Sequence, residues 1–304
     1  MRCGKRLYMS LVAAGLATTP ALAASPGADL TELGGVGLGR AGAVRAARDA
    51  PGAGSAAFAA ATLDPQYVIW SGGGVGADQT WSLRAGAMDA RTSPVSLGFG
   101  YERRWDDVPP TGEALPGWVV PGETLSDAAQ HNRIWLAAGV PLLDRRLSLA
   151  VAARYDWTTA ASSGDSNAFD VSASLAVSPV ETLTIAVEGR DLVGSSYRLT
   201  GRALGLGVGW RPDDFVGVYA DVVTPLEGAS LDAAFTTYDV HFGVDLGLVE
   251  WLRLRGGASY DEGAWRAAGG IGLTAEKVDF DYGVRVDPGD PLRSWHGIDL
   301  TLKL

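Results

Sequence analysis

The strongest chemical motif in the sequence is a cluster of glycines near the N-terminus. Gly37, Gly39 and Gly42 match the spacing G-x-G-x-x-G, and Asp64 follows at about the distance of a ribose-binding acid. A dinucleotide site needs a buried strand before the glycines and a βαβ unit around them. The preceding residues 24–33 are polar and contain Pro and Gly, so the sequence favours close backbone packing over a cofactor site.

A second set of candidates is a group of arginines on the polar faces of predicted strands. Arg253 and Arg255 lie two residues apart, so both side chains point to the same face of a strand. Because a guanidinium binds a carboxylate with two parallel hydrogen bonds, this pair, with Arg154 and Arg190, is a candidate contact for a ligand carboxylate. The alternative is a network of mixed charges that holds the protein together, which the interspersed signs favour over a selectivity filter.

Patterns for catalysis and for metal binding are weak. The three histidines, His131, His241 and His296, do not lie at the spacing of metal ligands, and the chain has one Cys. His241 belongs to a polar face, but there is no G-x-S-x-G motif and no Ser on a neighbouring strand is distinguished. We therefore expect no enzyme activity, no metal and no cofactor.

The pattern that recurs along the chain is strict alternation of apolar and polar residues. Around residue 151, for example, Leu149, Val151 and Tyr155 share one face, whereas Ser148 and Arg154 share the other. Successive side chains of a strand point to opposite faces, so each such segment predicts a strand with one apolar and one polar side. Most of about 14 such segments have the roughly 10-residue length of a tilted membrane strand. They centre near residues 70, 84, 98, 136, 151, 173, 187, 207, 219, 242, 256, 269, 282 and 299.

Connections and aromatic residues place these strands in a membrane. Tight connections alternate with longer loops, as in outer-membrane barrels. The polar faces carry charges of both signs, which disfavours a soluble sandwich with two apolar inner faces. We predict an all-β fold, a transmembrane antiparallel outer-membrane β-barrel of about 14 strands. The longer loops are predicted at residues 106–130, 158–167, 193–201, 224–234 and 287–294. Aromatic residues predicted to form interfacial girdles are Trp70, Trp105, Trp157, Trp210, Trp251, Trp265, Trp295, Tyr101, Tyr155 and Tyr260.

The N-terminus has the pattern of a secretory signal peptide. Three basic residues precede a short apolar stretch, residues 7–16, and Ala-Leu-Ala at 21–23 is a cleavage site. We predict three parts: a signal peptide at 1–23, an N-terminal plug segment at 24–63 and a transmembrane barrel at 64–304. Export and the barrel predict a bacterial outer-membrane location, and the formal net charge of −10 argues against a nucleic-acid partner.

The Gly/Ala-rich stretch between the signal peptide and the first strand resembles the N-terminal segment of the FadL-type transporters of fatty acids and hydrophobic compounds and of the related PorV-like barrels. The chain departs from the family at Ala59-Ala60, where the family has Asn-Pro. The matching positions are Gly37, Gly39, Arg40, Ala41, Gly42, Ala43, Ala47, Asp49 and Leu63.

The resemblance implies a plug inside the barrel and an apolar ligand that leaves sideways through a gap in the wall. The residues it places at the plug or the ligand passage are Gly37, Gly39, Arg40, Gly42, Asp49, Phe58 and Leu63.

The expected function is passive uptake of small hydrophobic molecules such as long-chain fatty acids. The alternatives are a PorV-like barrel for assembly, secretion or structure, and a general diffusion porin. Expected partners are the lipid bilayer, lipopolysaccharide, a small hydrophobic ligand and the outer-membrane barrel assembly machinery.

Overall fold

The computed structural model describes residues 34–40, 42–76, 80–106, 129–159, 166–194, 202–226, 238–261 and 263–304. The predicted signal peptide, residues 24–33 and Ala41 lie outside these ranges, as do most residues of four of the five predicted long loops. The division of the chain into three parts therefore stays a prediction.

The described residues form fourteen strands that close into one antiparallel barrel. Each strand pairs with its neighbours in sequence, and β1 closes the barrel by pairing with β14. This confirms the predicted fold, and every predicted centre falls inside an observed strand. The strands are β1 Tyr67–Gly76, β2 Thr80–Asp89, β3 Ser96–Asp106, β4 Ala129–Leu142, β5 Leu147–Thr159, β6 Ser166–Val180, β7 Leu183–Gly194, β8 Ala203–Trp210, β9 Val216–Pro225, β10 Asp239–Val249, β11 Leu252–Asp261, β12 Ala264–Thr274, β13 Val278–Asp287 and β14 Asp290–Lys303.

Alternation decides which side chains face lipid and which face the lumen. On β5 the side chains of Leu149, Val151 and Tyr155 are exposed, whereas Ala150 and Asp156 are buried. Apolar groups are stable against hydrocarbon, while polar groups need partners, so the apolar face points outward and the polar face inward.

Two of the predicted girdle residues point inward instead. Trp81, Trp251 and Trp265 are more than half exposed, as interfacial rings should be. Trp70, however, is 6% exposed and shares its face with buried residues, and Trp295 lies beside the lumenal Arg285. Their girdle assignment is wrong because strand parity, and not residue type, sets the direction of a side chain.

The connection predicted as a loop at residues 287–294 is a tight hairpin. Pairing continues to Asp287 and Asp290, and Gly289 donates its backbone N–H to Asp287 Oδ1 at 2.9 Å. The sequence Asp-Pro-Gly-Asp supplies the residues that such a turn favours, so the two strands extend further than their hydrophobic pattern indicates.

The turn between β4 and β5 has an unusual backbone. Leu143, Asp144 and Arg145 have φ of 51°, 54° and 64°, the left-handed region that side chains disfavour. Arg145 donates to the backbone oxygens of Thr62 at 2.9 Å and Ala90 at 2.7 Å. The strained turn is therefore tied to two other parts of the chain.

Two short helices precede the barrel within the described residues: α1 Gly34–Gly39 and α2 Ser55–Ala61. Among the described residues, no helix is long and apolar enough to cross a membrane.

Candidate functional site

The described residues before β1, 34–40 and 42–63, form what we call the inner segment. Helix α1 packs against strands β12 to β14, and α2 packs against β5 to β7, so the two helices contact opposite parts of the wall. The wall residues they contact belong to the inward faces. Most of the inner segment is buried, including all seven residues of α2.

Glycines allow α1 to approach the wall at backbone distance. A methyl group added at Gly35 would overlap the backbone carbonyl of Asp281, and one at Gly283 would overlap the backbone of Gly35. At Gly35 and Gly283 two backbones touch where side chains would hold them apart. Of the glycines in the sequence motif, Gly39 lies against Arg255 and Gly270, and a methyl group at Gly42 would meet the ring of His241.

Arg40 is the main polar anchor of the inner segment. Its Nη1 and Nη2 donate to the two oxygens of Asp49 at 2.9 and 2.8 Å, and its Nε donates to Asp245 Oδ1 at 2.9 Å. The guanidinium carbon lies 4.2 Å from the centre of the Tyr219 ring. One buried cation thus joins the inner segment to β9 and β10.

The charges of this anchor support one another. Burial opposes the charge on Arg40, but the carboxylates of Asp245 and Asp49 outweigh it and raise the pKa of Arg40 well above its usual value. Burial likewise opposes the charge on Asp49, yet Arg40 lowers the pKa of Asp49 far below its usual range. Both groups are therefore charged at neutral pH.

Arg45 forms a second anchor beside the first, on β7 and β9. Its Nε lies 3.2 Å from Glu188 Oε2 and its Nη1 lies 3.4 Å from Asp221 Oδ2. Asp221 also accepts the backbone N–H groups of Val44 and Arg45 at 2.9 and 3.0 Å, and Ser55 donates to Glu188 Oε1 at 2.6 Å. These bonds fix the link between α1 and α2 against β7 and β9.

Three aromatic rings lie where α2 meets the wall. Trp70 and Trp135 stack with ring centres 5.9 Å apart and planes 14° apart, and Phe58 meets Trp135 edge-on at 6.3 Å. These rings line a cavity of about 70 Å³. Its remaining lining includes Arg84, Glu102, Arg133, Arg154, Glu188 and Arg190.

The charged lining of this cavity is internally paired. Arg154 lies 3.1 Å from Asp170 and 3.0 Å from Asp191, and Arg190 lies 3.5 Å from Glu188. A ligand that brought a carboxylate here would have to exchange with these acids.

Outside the wall, an apolar groove of about 580 Å³ runs across β2 to β5. Gly98 contributes to this groove, and on its inner side the ring of Phe58 lies against the same residue. The inner aromatic cluster and the lipid-facing groove therefore meet at a residue without a side chain. Lining residues of the groove include Leu97, Phe99, Leu136 and Val151.

The structure separates the predicted arginines into two groups. Arg154 and Arg190 line the aromatic cavity, whereas Arg255 lies beside Gly39 and pairs with Asp245 and Asp281. Arg253 shares the inward face of β11 with Arg255 and is partly exposed.

The other predicted residues all belong to the inner segment, with Gly42 at φ 91° against His241. Gly37 lies in α1, and its carbonyl accepts the N–H of Gly42 at 2.9 Å. Leu63 is buried in the same core as Phe58.

Sequence reasoning missed Arg45, Trp70 and Trp135 as parts of this site. Alternation along β1 and β4 places both Trp residues on the face opposite the exposed Ile69 and Leu136, which is the signal that identifies them. Among the described residues there is no group of three or more His, Cys, Asp or Glu side chains that is suited to a metal ion.

Comparison with solved structures identifies proteins with a similar fold. No family model and no curated protein sequence matches this chain. The crystal structure of the toluene transporter TodX from Pseudomonas putida aligns with a TM-score of 0.55 and 9% identity, over 81% of this chain and 90% of TodX. The chain shares the barrel fold of TodX. This confirms, for the fold, the resemblance to hydrophobic-compound channels of the FadL type.

Two further structures align with lower scores. The outer membrane protein Omp33 of Acinetobacter baumannii has a TM-score of 0.46 at 9% identity, over 80% of this chain and all of Omp33. A TodX deltaS2S3 mutant, described as a monoaromatic hydrocarbon channel, has 0.47 at 10% identity, over 81% of this chain and 91% of the mutant. The resemblance to PorV-like barrels stays a prediction.

Proposed function

We propose that this protein is an outer-membrane channel for the passive uptake of small hydrophobic molecules, with long-chain fatty acids as one candidate class. The observation that carries the proposal is the aromatic cavity of Phe58, Trp70 and Trp135, which meets a lipid-facing groove at Gly98. Transfer of an apolar molecule from water to such a pocket is favourable without an energy source.

The inner segment acts as a plug in this proposal. Its buried anchors at Arg40 and Arg45 join it to β7, β9 and β10, and its two helices pack against separate parts of the wall, which supports a plugged barrel over an open diffusion pore. A barrel of about 14 strands is too wide to be filled by its own wall side chains, so its lumen holds either water or a separate segment. The buried inner segment supports the second arrangement.

Passage requires a movement of this plug. The cavity of about 70 Å³ is smaller than the roughly 150 Å³ that holds benzene in a protein interior. The proposed movement shifts α2 and Phe58 away from Gly98, which enlarges the cavity and opens it sideways towards lipid. For a ligand with a carboxylate, Arg154 and Arg190 are the proposed contacts because they line this cavity.

Uptake into liposomes tests the proposal. The full chain is reconstituted, and entry of a fluorescent long-chain fatty acid is compared with entry of a small hydrophilic solute. We expect the fatty acid to enter and the solute to be excluded. Entry of the solute would instead indicate a porin, and entry of neither would favour the assembly barrel.

A disulfide tests the movement of the plug. A methyl group at Gly139 would lie 3.1 Å from Thr62 Cγ2, so the pair Thr62→Cys and Gly139→Cys is placed to bridge the end of α2 and β4. The sequence has one other Cys, Cys3, which is replaced by Ser in all variants. We expect the oxidised form to block uptake and the reduced form to restore it. Equal uptake in both forms would contradict the moving plug.

A further inference from the structure

Three polar side chains form a hydrogen-bonded row on the outer surface of the barrel. Ser294 Oγ lies 3.1 Å from His296 Nε2, and the Tyr282 hydroxyl lies 2.7 Å from His296 Nδ1. Ser294 and His296 are two residues apart on β14, so they share a face, and Tyr282 reaches them from β13. The row combines a hydroxyl, an imidazole and a group that orients the imidazole.

The row belongs to the face of the barrel that contacts lipid. Ile298 and Leu300 follow on the same face of β14 and are 49% and 42% exposed. In the strand register His296 pairs with Val75, which pairs with Trp81, an exposed ring of the kind that marks the membrane interface. His296 therefore lies near the level where the ester groups of membrane lipids meet water.

We propose that Ser294 and His296 form a second site, which hydrolyses acyl esters of membrane lipids. A nucleophile within hydrogen-bond reach of a base that a third group orients is the arrangement by which serine hydrolases work. With the ring hydrogen on Nδ1, His296 donates to Tyr282 and its Nε2 accepts from Ser294. Tyr282 is then a positioning residue.

The reaction needs water as its one co-reactant. Ser294 Oγ attacks the ester carbonyl and forms a C–O bond, while its proton passes to His296 Nε2. The bond to the lipid alcohol breaks, and that alcohol leaves with the proton from His296. His296 then takes a proton from water, and the resulting hydroxide attacks the carbonyl of the acyl-serine. The bond to Ser294 Oγ breaks, the fatty acid leaves, and His296 returns the proton to Ser294.

Lipid is favoured as the substrate by the surface beside the row. β1 presents the small residues Ser71 and Gly73 opposite Leu300 and Ile298 of β14. Beside these small residues Ile298 and Leu300 stay exposed, an apolar surface that suits an acyl chain held with its ester at the interface. A water-soluble ester would gain nothing from this surface.

Covalent labelling and lipid hydrolysis test the proposal together. The refolded full chain, in vesicles of ester-linked phosphatidylethanolamine and phosphatidylglycerol, is treated with a fluorophosphonate, and the labelled peptide is identified by mass. We expect labelling at Ser294, slowed at least about 100-fold by His296→Gln. Free fatty acid should be released from ester-linked but not from ether-linked vesicles. Ser294→Ala should abolish the release, and Ser93→Ala, at a serine in the turn between β2 and β3, should retain it.

Several results would overturn the proposal. They are absence of label at Ser294, fatty acid release that is equal in wild type and Ser294→Ala, and release that persists from ether-linked vesicles. Should Ser294→Ala fail to fold, the site of the label in the wild type decides. For Tyr282→Phe the readout is the pH profile of labelling, which we expect to change and which a merely structural role would not move. Uptake of a hydrophobic probe by Ser294→Ala should equal that of wild type, so this site and the proposed channel fail separately.

Discussion

The two sides of the lumen hold the inner segment by different means. On the α1 side, backbone meets backbone at Gly35 and Gly283, and Arg40 joins Asp49 and Asp245 in a buried ion network. On the α2 side, Phe58 packs on Trp135 beside a cavity, and the polar contacts of the helix with the wall are hydrogen bonds such as that from Ser55 to Glu188.

This difference separates the part of the inner segment that is anchored from the part that would move in the proposed passage of a ligand. A buried charge without its partner is expensive, so the α1 side resists any displacement that would break its ion pairs. Aromatic contacts lose less free energy when the rings shift, and the cavity beside them leaves room for the shift. We therefore expect the α1 side to stay fixed and the α2 side to move, and four substitutions or conditions test that expectation.

Removal of the main anchor should have the largest effect. Arg40→Ala removes a fully buried cation from the partly buried Asp49 and leaves Asp245 only its longer contact with Arg255, which costs about 3–5 kcal/mol. The inner segment should detach, and ion leakage through the barrel should rise by about two to three orders of magnitude. Conductance in planar bilayers measures this. Arg91→Ala, at an exposed turn, is the control, and equal leakage in both variants would show that Arg40 anchors nothing.

Truncation of the aromatic cluster should come next. Phe58→Ala removes a fully buried ring and costs about 3 kcal/mol, because the cavity it leaves is only partly refilled. We expect faster uptake of a hydrophobic probe without ion leakage, since the α1 anchors remain. Phe280→Ala, an outward ring, is the matched control in the liposome assay. Slower uptake in Phe58→Ala would contradict a passage on the α2 side.

A substitution with a smaller expected effect tests where the proposed passage crosses the wall. Gly98→Ala places a methyl group against the ring of Phe58, and such overpacking costs about 1–3 kcal/mol. Uptake should fall because the point where the cavity meets the groove is filled. Gly256→Ala is the control, since a methyl group there meets no atom within 4 Å. A loss of uptake in both variants would mean that the position of the methyl group is irrelevant.

The smallest expected effect is on the pH dependence of the free energy of unfolding. Because Arg40 lowers the pKa of Asp49 below its unfolded value of about 4, the pair stabilises the fold fully above that value and less as the pH falls below it. The difference in stability between wild type and Asp49→Asn should be constant from pH 8 to 5 and shrink only below about pH 4. Denaturant unfolding at each pH measures it. A difference that shrinks near pH 6 would contradict a low pKa for Asp49.

The barrel could be predicted because its information is local. Strand centres follow from alternation within ten residues, and turns follow from Pro, Gly and Asp between them. Even β1, with its run of glycines, is placed correctly because the segments on both sides fix the strand number. The direction of Trp70 is equally local: alternation along β1 points this side chain inward, whereas residue type alone predicts an interfacial position.

The contacts of the inner segment could not be predicted in the same way. Arg40 and Asp245 are 205 residues apart, and no sequence pattern near either residue indicates its partner. The row at Ser294 lies between these cases. The spacing of Ser294 and His296 is visible in the sequence, but Tyr282 joins them only through the register of β13 and β14, which the sequence pattern of either strand does not show.

The contact of α1 with β13 and β14 sets the order in which the molecule can be assembled. Val36 donates its backbone N–H to Asp299, 263 residues later, so the first part of the described chain is held by the last. Contacts between such distant residues form late because a long loop of chain must first be closed. The inner segment therefore reaches its final position only once β14 is in place, so the lumen is filled and the barrel wall is closed in the same step of assembly.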